Sequence, residues 1–188
     1  MKEINQEYMV DEDNFRSSKY SNKNKSIQTR HLENLEQVII HCTAAGTEGW
    51  ENPITCIKYD LGANHISRTG LATATYHYYV NQKGDKWQLV SMAIKTAHAG
   101  SQNTDSVAIC INHDGFKASE ITDELYQSLI EVIAHIFDFL DWSYELESVK
   151  DRIHFHRDYS PKACPGMLNK ELLQKDVYNY LQNYGDNE

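Results

Sequence analysis

The sequence predicts an α/β domain, because apolar runs of strand length alternate with longer stretches that carry a one-sided apolar stripe. Val38-Ile39-Ile40 and Val107-Ala108-Ile109-Cys110-Ile111 are continuous or near-continuous apolar runs, the pattern of strands covered on both faces. Leu125, Leu129, Val132, Ile133, Ile136, Phe137 and Leu140 recur at intervals of three and four, which makes one wide helical stripe. Strands alternating with helices call for a central sheet flanked by helices. At 188 residues the chain is long enough for one sizeable core, so one domain is expected, over residues 36–184.

Residues 1–35 read as a polar extension; Ser17 to Ser26 is polar and lysine-rich and contains a single aromatic residue, too little apolar area to offset ordering entropy. The run from Val38 should be a strand that ends abruptly in His41-Cys42-Thr43. Pro53 then stands near a helix start, with Ile54, Ile57 and Leu61 at spacings of three and four, predicting a helix over 53–65. Tyr76 to Val80 is rich in β-formers, Lys83-Gly84 supplies a turn, and Lys86 to Val90 resumes as the second strand of a hairpin. After the apolar run at 107–111, Thr122 is a good N-cap for the long helix, with Asp123 and Glu124 in its first turn where the helix dipole favours negative charge. His135 falls off the stripe and should face solvent. A short strand over Val149 to His154 follows. A C-terminal helix carries Leu173, Val177, Tyr180 and Leu181 on one face and closes before Gly185.

The balance of 18 Lys+Arg against 27 Asp+Glu gives a formal charge of −9, which argues against a nucleic-acid surface, since phosphate neutralisation needs clustered cations. No segment is apolar for long enough to span a bilayer, and no basic start precedes an apolar run. The expectation is a protein without membrane insertion and without a signal peptide, made in the cytoplasm. Four cysteines do not by themselves establish disulfides. Cys42 and Cys110 lie in apolar runs, where a small buried hydrophobe is expected; Cys56 has no assignment.

The chemistry concentrates in His156-Arg157-Asp158-Tyr159-Ser160-Pro161-Lys162-Ala163-Cys164-Pro165-Gly166, which puts an imidazole, an amine and a thiol in one short segment. A polar cluster at a strand end usually faces a cleft, and His41 stands at one. Two His and one Cys form a His₂Cys set, which leaves the fourth tetrahedral position of Zn²⁺ open for water, as catalytic zinc requires. His154 competes with His156, because residues two apart on a strand project to the same side. By the same alternation His77 points away from Tyr76 and reads as structural.

Four blocks carry a family resemblance: VIIHCT (Val38–Thr43), YHYYVNQKG (Tyr76–Gly84), HAGSQNTDSVAICI (His98–Ile111) and HRDYSPKACPG (His156–Gly166). In this order, across roughly residues 36 to 182, the chain resembles the zinc-dependent N-acetylmuramoyl-L-alanine amidases of the phage-lysozyme and peptidoglycan-recognition-protein type. The resemblance implies a mixed sheet flanked by helices, with zinc at one edge of the sheet. It implies His41, His156 and Cys164 as ligands, with the second His eight positions before the Cys as in the family. It makes Lys162 a catalytic lysine that stabilises an oxyanion and Tyr76 an active-site tyrosine able to donate or relay a proton. His98, Asn103 and Thr104 become candidates for the substrate groove. The implied reaction is hydrolysis of the amide between N-acetylmuramic acid and L-alanine of the peptidoglycan stem peptide.

Two alternatives stay within that resemblance. Binding-only recognition proteins of the family typically lack the Cys ligand, and muropeptide-recycling amidases usually present Asp there; this chain keeps Cys164. A zinc nucleobase deaminase would need paired H-x-E and P-C-x-x-C motifs, which are absent. The family setting implies an endolysin or a delivered wall-degrading toxin that acts in the periplasm or wall after release or delivery outside the Sec route. No residue identifies an immunity or regulatory partner, or the preferred stem peptide.

Overall fold

The computed structural model describes residues 2–3, 26–45, 48–64, 67–115 and 121–183. Most of the expected extension, the end of the helix expected over 53–65 and Gly185 lie outside them. Strands β1 (Lys2–Glu3), β2 (Gln28–Thr29) and β3 (Gln37–Cys42) precede helix α1 (Pro53–Leu61); β4 (Tyr78–Val80), β5 (Lys86–Gln88), β6 (Ile94–Lys95) and β7 (Ser106–Ile111) follow. Helices α2 (Asp123–Phe139) and α3 (Leu146–Arg152), strand β8 (Ile153–Phe155) and helix α4 (Lys170–Gln182) complete the order.

Among the described residues the main sheet runs β1-β5-β4-β7-β3-β8, and β2 and β6 form a separate ribbon. Strands β4, β7, β3 and β8 are mutually parallel where they pair, and the β4–β5 hairpin is antiparallel, so the sheet is mixed. Every residue of β3 and β7 is buried, which is why both were legible as apolar runs rather than alternating ones. One face of the sheet carries Val38, Ile40, Val107, Ile109 and Ile111 against Leu125, Leu129, Val132, Ile133, Ile136 and Phe137 of α2 and Leu173, Val177 and Leu181 of α4. The other face packs Tyr79, Leu89 and Cys110 against Cys56, Ile57 and Leu61 of α1. Each large aliphatic side chain so buried contributes about 1.5–3 kcal/mol, so the two faces hold the parallel strands rigidly beneath the site.

Local signals explain the element ends. Asn52 caps α1 by accepting from Ile54 N (2.9 Å), and the helix stops at Leu61, where Gly62 follows and the Asn64 side chain donates to Gly62 O (3.2 Å). The Thr122 hydroxyl accepts from Leu125 N at 3.1 Å, as an N-cap should. The hairpin turn is held by Asn81 Oδ1, which accepts from Lys83 N and Asp85 N. Gly84 there has φ +75°, and a Cβ would lie 2.9 Å from Glu124 O, so glycine is required.

Three local expectations are corrected. Residues 146–152, part of which read as strand, form α3, because Glu147 near its start and Lys150 and Arg152 in its last turn complement the helix dipole while Val149 is buried; the strand begins only at Ile153. The hairpin strands are shorter than predicted, beginning at Tyr78 and ending at Gln88. His135 is half-buried, with its ring 6.4 Å from that of Tyr78, rather than turned to solvent. His77 is structural as expected: it is buried, its Nδ1 accepts from Ala108 N (2.9 Å) and its Nε2 reaches Ile94 O (2.9 Å). Cys42, Cys56 and Cys110 are buried, and all four cysteines are free thiols.

Candidate metal centre

The carboxyl ends of parallel strands β3 and β8 open side by side, the usual place for a site in an α/β sheet. His41 is the penultimate residue of β3 and is almost wholly buried, while His156 follows directly on β8 in a 3₁₀ turn, His156–Asp158. The loop that returns with Cys164 is tied back by Arg157, whose backbone N–H donates to Cys164 O (2.8 Å) and whose guanidinium bonds Gly166 O and Leu168 O. Gly166 lies at φ +80°, and a Cβ there would meet the Gly115 backbone at 1.7 Å. The loop therefore needs glycine to seat against that chain.

These restraints bring three donors together. Among the described residues, one ligand atom each from His41, His156 and Cys164 lie within 4.8 Å of one another. The Cys164 Sγ is 4.0 Å from His41 Nδ1, and the His41 and His156 rings are 4.5 Å apart. Ligands on a tetrahedral zinc lie about 3.5 Å from each other, given zinc–nitrogen and zinc–sulfur bonds of about 2.0 and 2.3 Å. A contraction from at most 4.8 Å to about 3.5 Å would close the set, so the donors fit that ion. His154, the competing imidazole, turns away: its Nε2 reaches Asp151 O at 2.9 Å and its Nδ1 faces Asp158.

The electrostatics suit a metal ligand set. Burial, then His156 and Lys162, hold His41 well below the usual imidazole range; burial and Lys162 lower His156 as well. Both rings are therefore neutral and able to ligate near pH 7. The Cys164 sulfur accepts from Cys42 N (3.3 Å) and lies 3.8 Å from Cys42 Sγ. That neighbouring thiol, with burial, raises the Cys164 thiol far above its ordinary value, and the Cys42 N–H and Lys162 only partly oppose this. A divalent cation at these donors would convert it to the thiolate.

A cavity of about 810 Å³ opens over the donors, lined by His41, His156 and Cys164 and also by Tyr76, His98, Asn103 and Lys162. The Tyr76 ring lies 5.1 Å from that of His41, and burial keeps its phenol protonated far above neutrality. Lys162 is exposed at the mouth. His98 is buried, with Nδ1 3.1 Å from His41 Nε2 and Nε2 3.1 Å from Ser106 Oγ. Asn103 Oδ1 accepts from His98 N (3.0 Å) and Ala99 N (2.6 Å), so its side chain shapes the turn. Thr104 is exposed and is not among the cavity-lining residues.

Two residues of the site escape sequence reasoning. Arg30, within the segment read as an extension, donates to Met92 O, Asn103 O and Thr104 O and clamps the 100–104 turn. Asp60 is buried against the cavity, its Oδ2 accepting from Thr75 N at 2.9 Å, and burial lifts its carboxyl to about 7 despite that bond. Its signal was an acid on the inward stripe of α1, next to Cys56, Ile57 and Leu61.

The family described as N-acetylmuramoyl-L-alanine amidase matches residues 31–167. No match was found among curated protein sequences. Among solved structures, the chain is similar to the endolysin amidase LysCS from Clostridium intestinale URNW (17% identity, 81% of this chain and 88% of that one, TM-score 0.60). It is similar to the Ph2119 endolysin from the Thermus scotoductus MAT2119 bacteriophage Ph2119 (16% identity, 82% and 93%, TM-score 0.63). It is also similar to a tyrosine-to-phenylalanine mutant of Drosophila PGRP-LB in complex with tracheal cytotoxin (16% identity, 79% and 85%, TM-score 0.62). At these identities the likeness establishes a shared fold.

Proposed function

The chain belongs to the N-acetylmuramoyl-L-alanine amidase family, and from that membership we propose that it hydrolyses the amide joining the lactyl group of N-acetylmuramic acid to L-alanine in peptidoglycan, with zinc held by His41, His156 and Cys164. The observation that carries this reading is the convergence of three ligand atoms within 4.8 Å beneath a substrate-sized cavity. The cavity volume falls in the range of small-ligand sites, and the Drosophila relative's complex with tracheal cytotoxin supports a muropeptide as occupant.

When bound, zinc supplies a Lewis acid that polarises the amide carbonyl and lowers the pKa of water to about 7. The Lys162 ammonium, at the mouth, stabilises negative charge as it develops on the carbonyl oxygen. Tyr76, held protonated, donates a hydrogen bond to the same oxygen and, as the amine leaves, relays to it the proton given up by the attacking water. Asn103 fixes the wall of the groove through its turn. In this reading residues 36–184 are the catalytic unit and residues 1–35 an extension whose Arg30 braces it. No described helix is long and apolar enough to cross a membrane.

Digestion of purified sacculi tests the proposal. Mass spectrometry should find free stem peptides and unsubstituted muramic acid, and Cys164→Ser should abolish both. New reducing sugar ends instead would identify a glycosidase and overturn it. Sacculus binding by the zinc-loaded chain without any release would leave a recognition protein.

A further inference from the structure

We infer that His98 and Ser106 are positioning residues that fix the tautomer of His41, so that its Nδ1 lone pair faces Cys164 and His156. The inference rests on the metal-site reading above and adds an ordered chain of protons behind it.

The order follows from which atoms can only accept. The Ser106 hydroxyl is within hydrogen-bond reach of the Gln102 carbonyl and of His98 Nε2. A carbonyl has no proton to give, so the single hydroxyl proton of Ser106 goes to Gln102 O. Its oxygen is then an acceptor toward His98, and His98 Nε2 must carry the N–H. His98 is buried, and its ring contacts are His41, His77 and Ser106, none of them a carboxylate, so burial favours the uncharged imidazole. A neutral imidazole has one N–H, so His98 Nδ1 is an acceptor. His41 Nε2, 3.1 Å away, therefore supplies the proton, which leaves His41 Nδ1 with a bare lone pair. That is the nitrogen 4.0 Å from Cys164 Sγ.

Metal-bound histidines commonly donate the second ring N–H to a carboxylate, a backbone carbonyl or water. Here the acceptor is a neutral imidazole. Two neutral rings and one thiolate then leave a divalent cation with net positive charge, which a carboxylate behind His41 would partly cancel. Burial matters as well: Ser106 is fully buried at the start of β7 and His98 nearly so, so water does not compete for either bond. The turn that carries His98 is itself fixed by Asn103 Oδ1 and clamped by Arg30.

Long-range proton–nitrogen correlation spectra of the full wild-type chain, before and after addition of zinc ion, read the tautomers directly. His41 and His98 should both appear as the Nε2–H form without zinc, and His41 should keep it when zinc is added. A His41 Nδ1–H form in the zinc-free chain would overturn the inference. Zinc affinity by chelator competition gives a second measure. His98→Leu removes the acceptor and should weaken zinc binding 10–100-fold, the usual effect of losing such a partner. His98→Asn, whose Oδ1 can accept near the position of Nδ1, should restore most of that loss. Equal affinity in wild type and a folded His98→Leu would also overturn it. If His98→Leu does not fold, the wild-type spectra decide. Because neither readout uses wall cleavage, failure of the amidase reading would leave this result standing, and the reverse holds too.

Discussion

The sulfur atoms of Cys42 and Cys164 lie 3.8 Å apart, and the backbone N–H of Cys42 donates to the Cys164 sulfur. A candidate metal ligand thus has a second thiol against it, close enough for the two to join after a small movement. Treatment of the zinc-free chain with a thiol-specific oxidant such as diamide should form the Cys42–Cys164 disulfide and abolish zinc uptake, and dithiothreitol should restore it. Cys42→Ala should retain zinc uptake after the same treatment, and bound zinc should protect the wild type. Equal loss in Cys42→Ala, measured by metal analysis, would mean that the pair is not the sensitive element.

Zinc binding should release one proton near neutrality, and that proton should come from Cys164. His41 and His156 are held below the usual imidazole value, so they are already neutral above about pH 6.5. The Cys164 thiol is raised and stays protonated until the metal displaces its proton. Zinc affinity should therefore rise about tenfold per pH unit between roughly pH 6.5 and 8.5. Calorimetry in buffers of different ionisation enthalpy counts the proton. Cys164→Asp should flatten the slope, because its carboxylate is already ionised across that range.

Lys162 and Tyr76 should separate from the metal ligands in their kinetics. Lys162→Met should lower kcat by about 10²-fold, the size expected for one lost donor to a developing oxyanion. Tyr76→Phe should act in the same direction. Both should bind zinc stoichiometrically, whereas His156→Ala should not. Steady-state turnover of a soluble muropeptide together with metal analysis makes the distinction.

What the chain reveals by inspection depends on how local the determinant is. Strands β3 and β7 and helix α2 were legible because burial writes itself into consecutive or periodic apolar residues. Helix α3 was not, since seven residues with one buried side chain leave too short a period to tell from a strand. The candidate ligands His156 and Cys164 share one loop, and the family spacing favours His156 over His154; what turns His154 away is where β8 ends. That end is set by Asp158 Oδ2 accepting from Phe155 N and Lys170 Nζ, contacts that spacing does not announce. His98 was legible as a residue of the cleft, whereas its bonds to His41 and Ser106 join separate elements and appear only once the chain is folded. Arg30 was hidden by the polar composition around it.

Asp60 should make the fold lose stability as pH rises through the range where the folded protein gives up this proton. Its carboxyl is raised to about 7 by burial, against 3.8 for an unperturbed group. The folded state thus binds the proton more tightly than the unfolded chain, and stability falls with pH wherever the folded state holds more protons. The contribution is fully present below about pH 4 and is lost progressively as pH rises toward 7. Three units correspond to about 4 kcal/mol as an upper limit. Asp60→Asn keeps an oxygen to accept from Thr75 N and removes the titration, so it should be more stable than wild type at pH 8 and show a flatter profile from pH 4 to 8. Asp60→Ala instead leaves the buried Thr75 N–H unpaired and should cost about 1–3 kcal/mol at low pH. Denaturant melts of the three proteins at pH 5 and pH 8 measure both effects. Parallel profiles for wild type and Asp60→Asn would show that this carboxyl ionises as freely in the folded protein as in the unfolded chain.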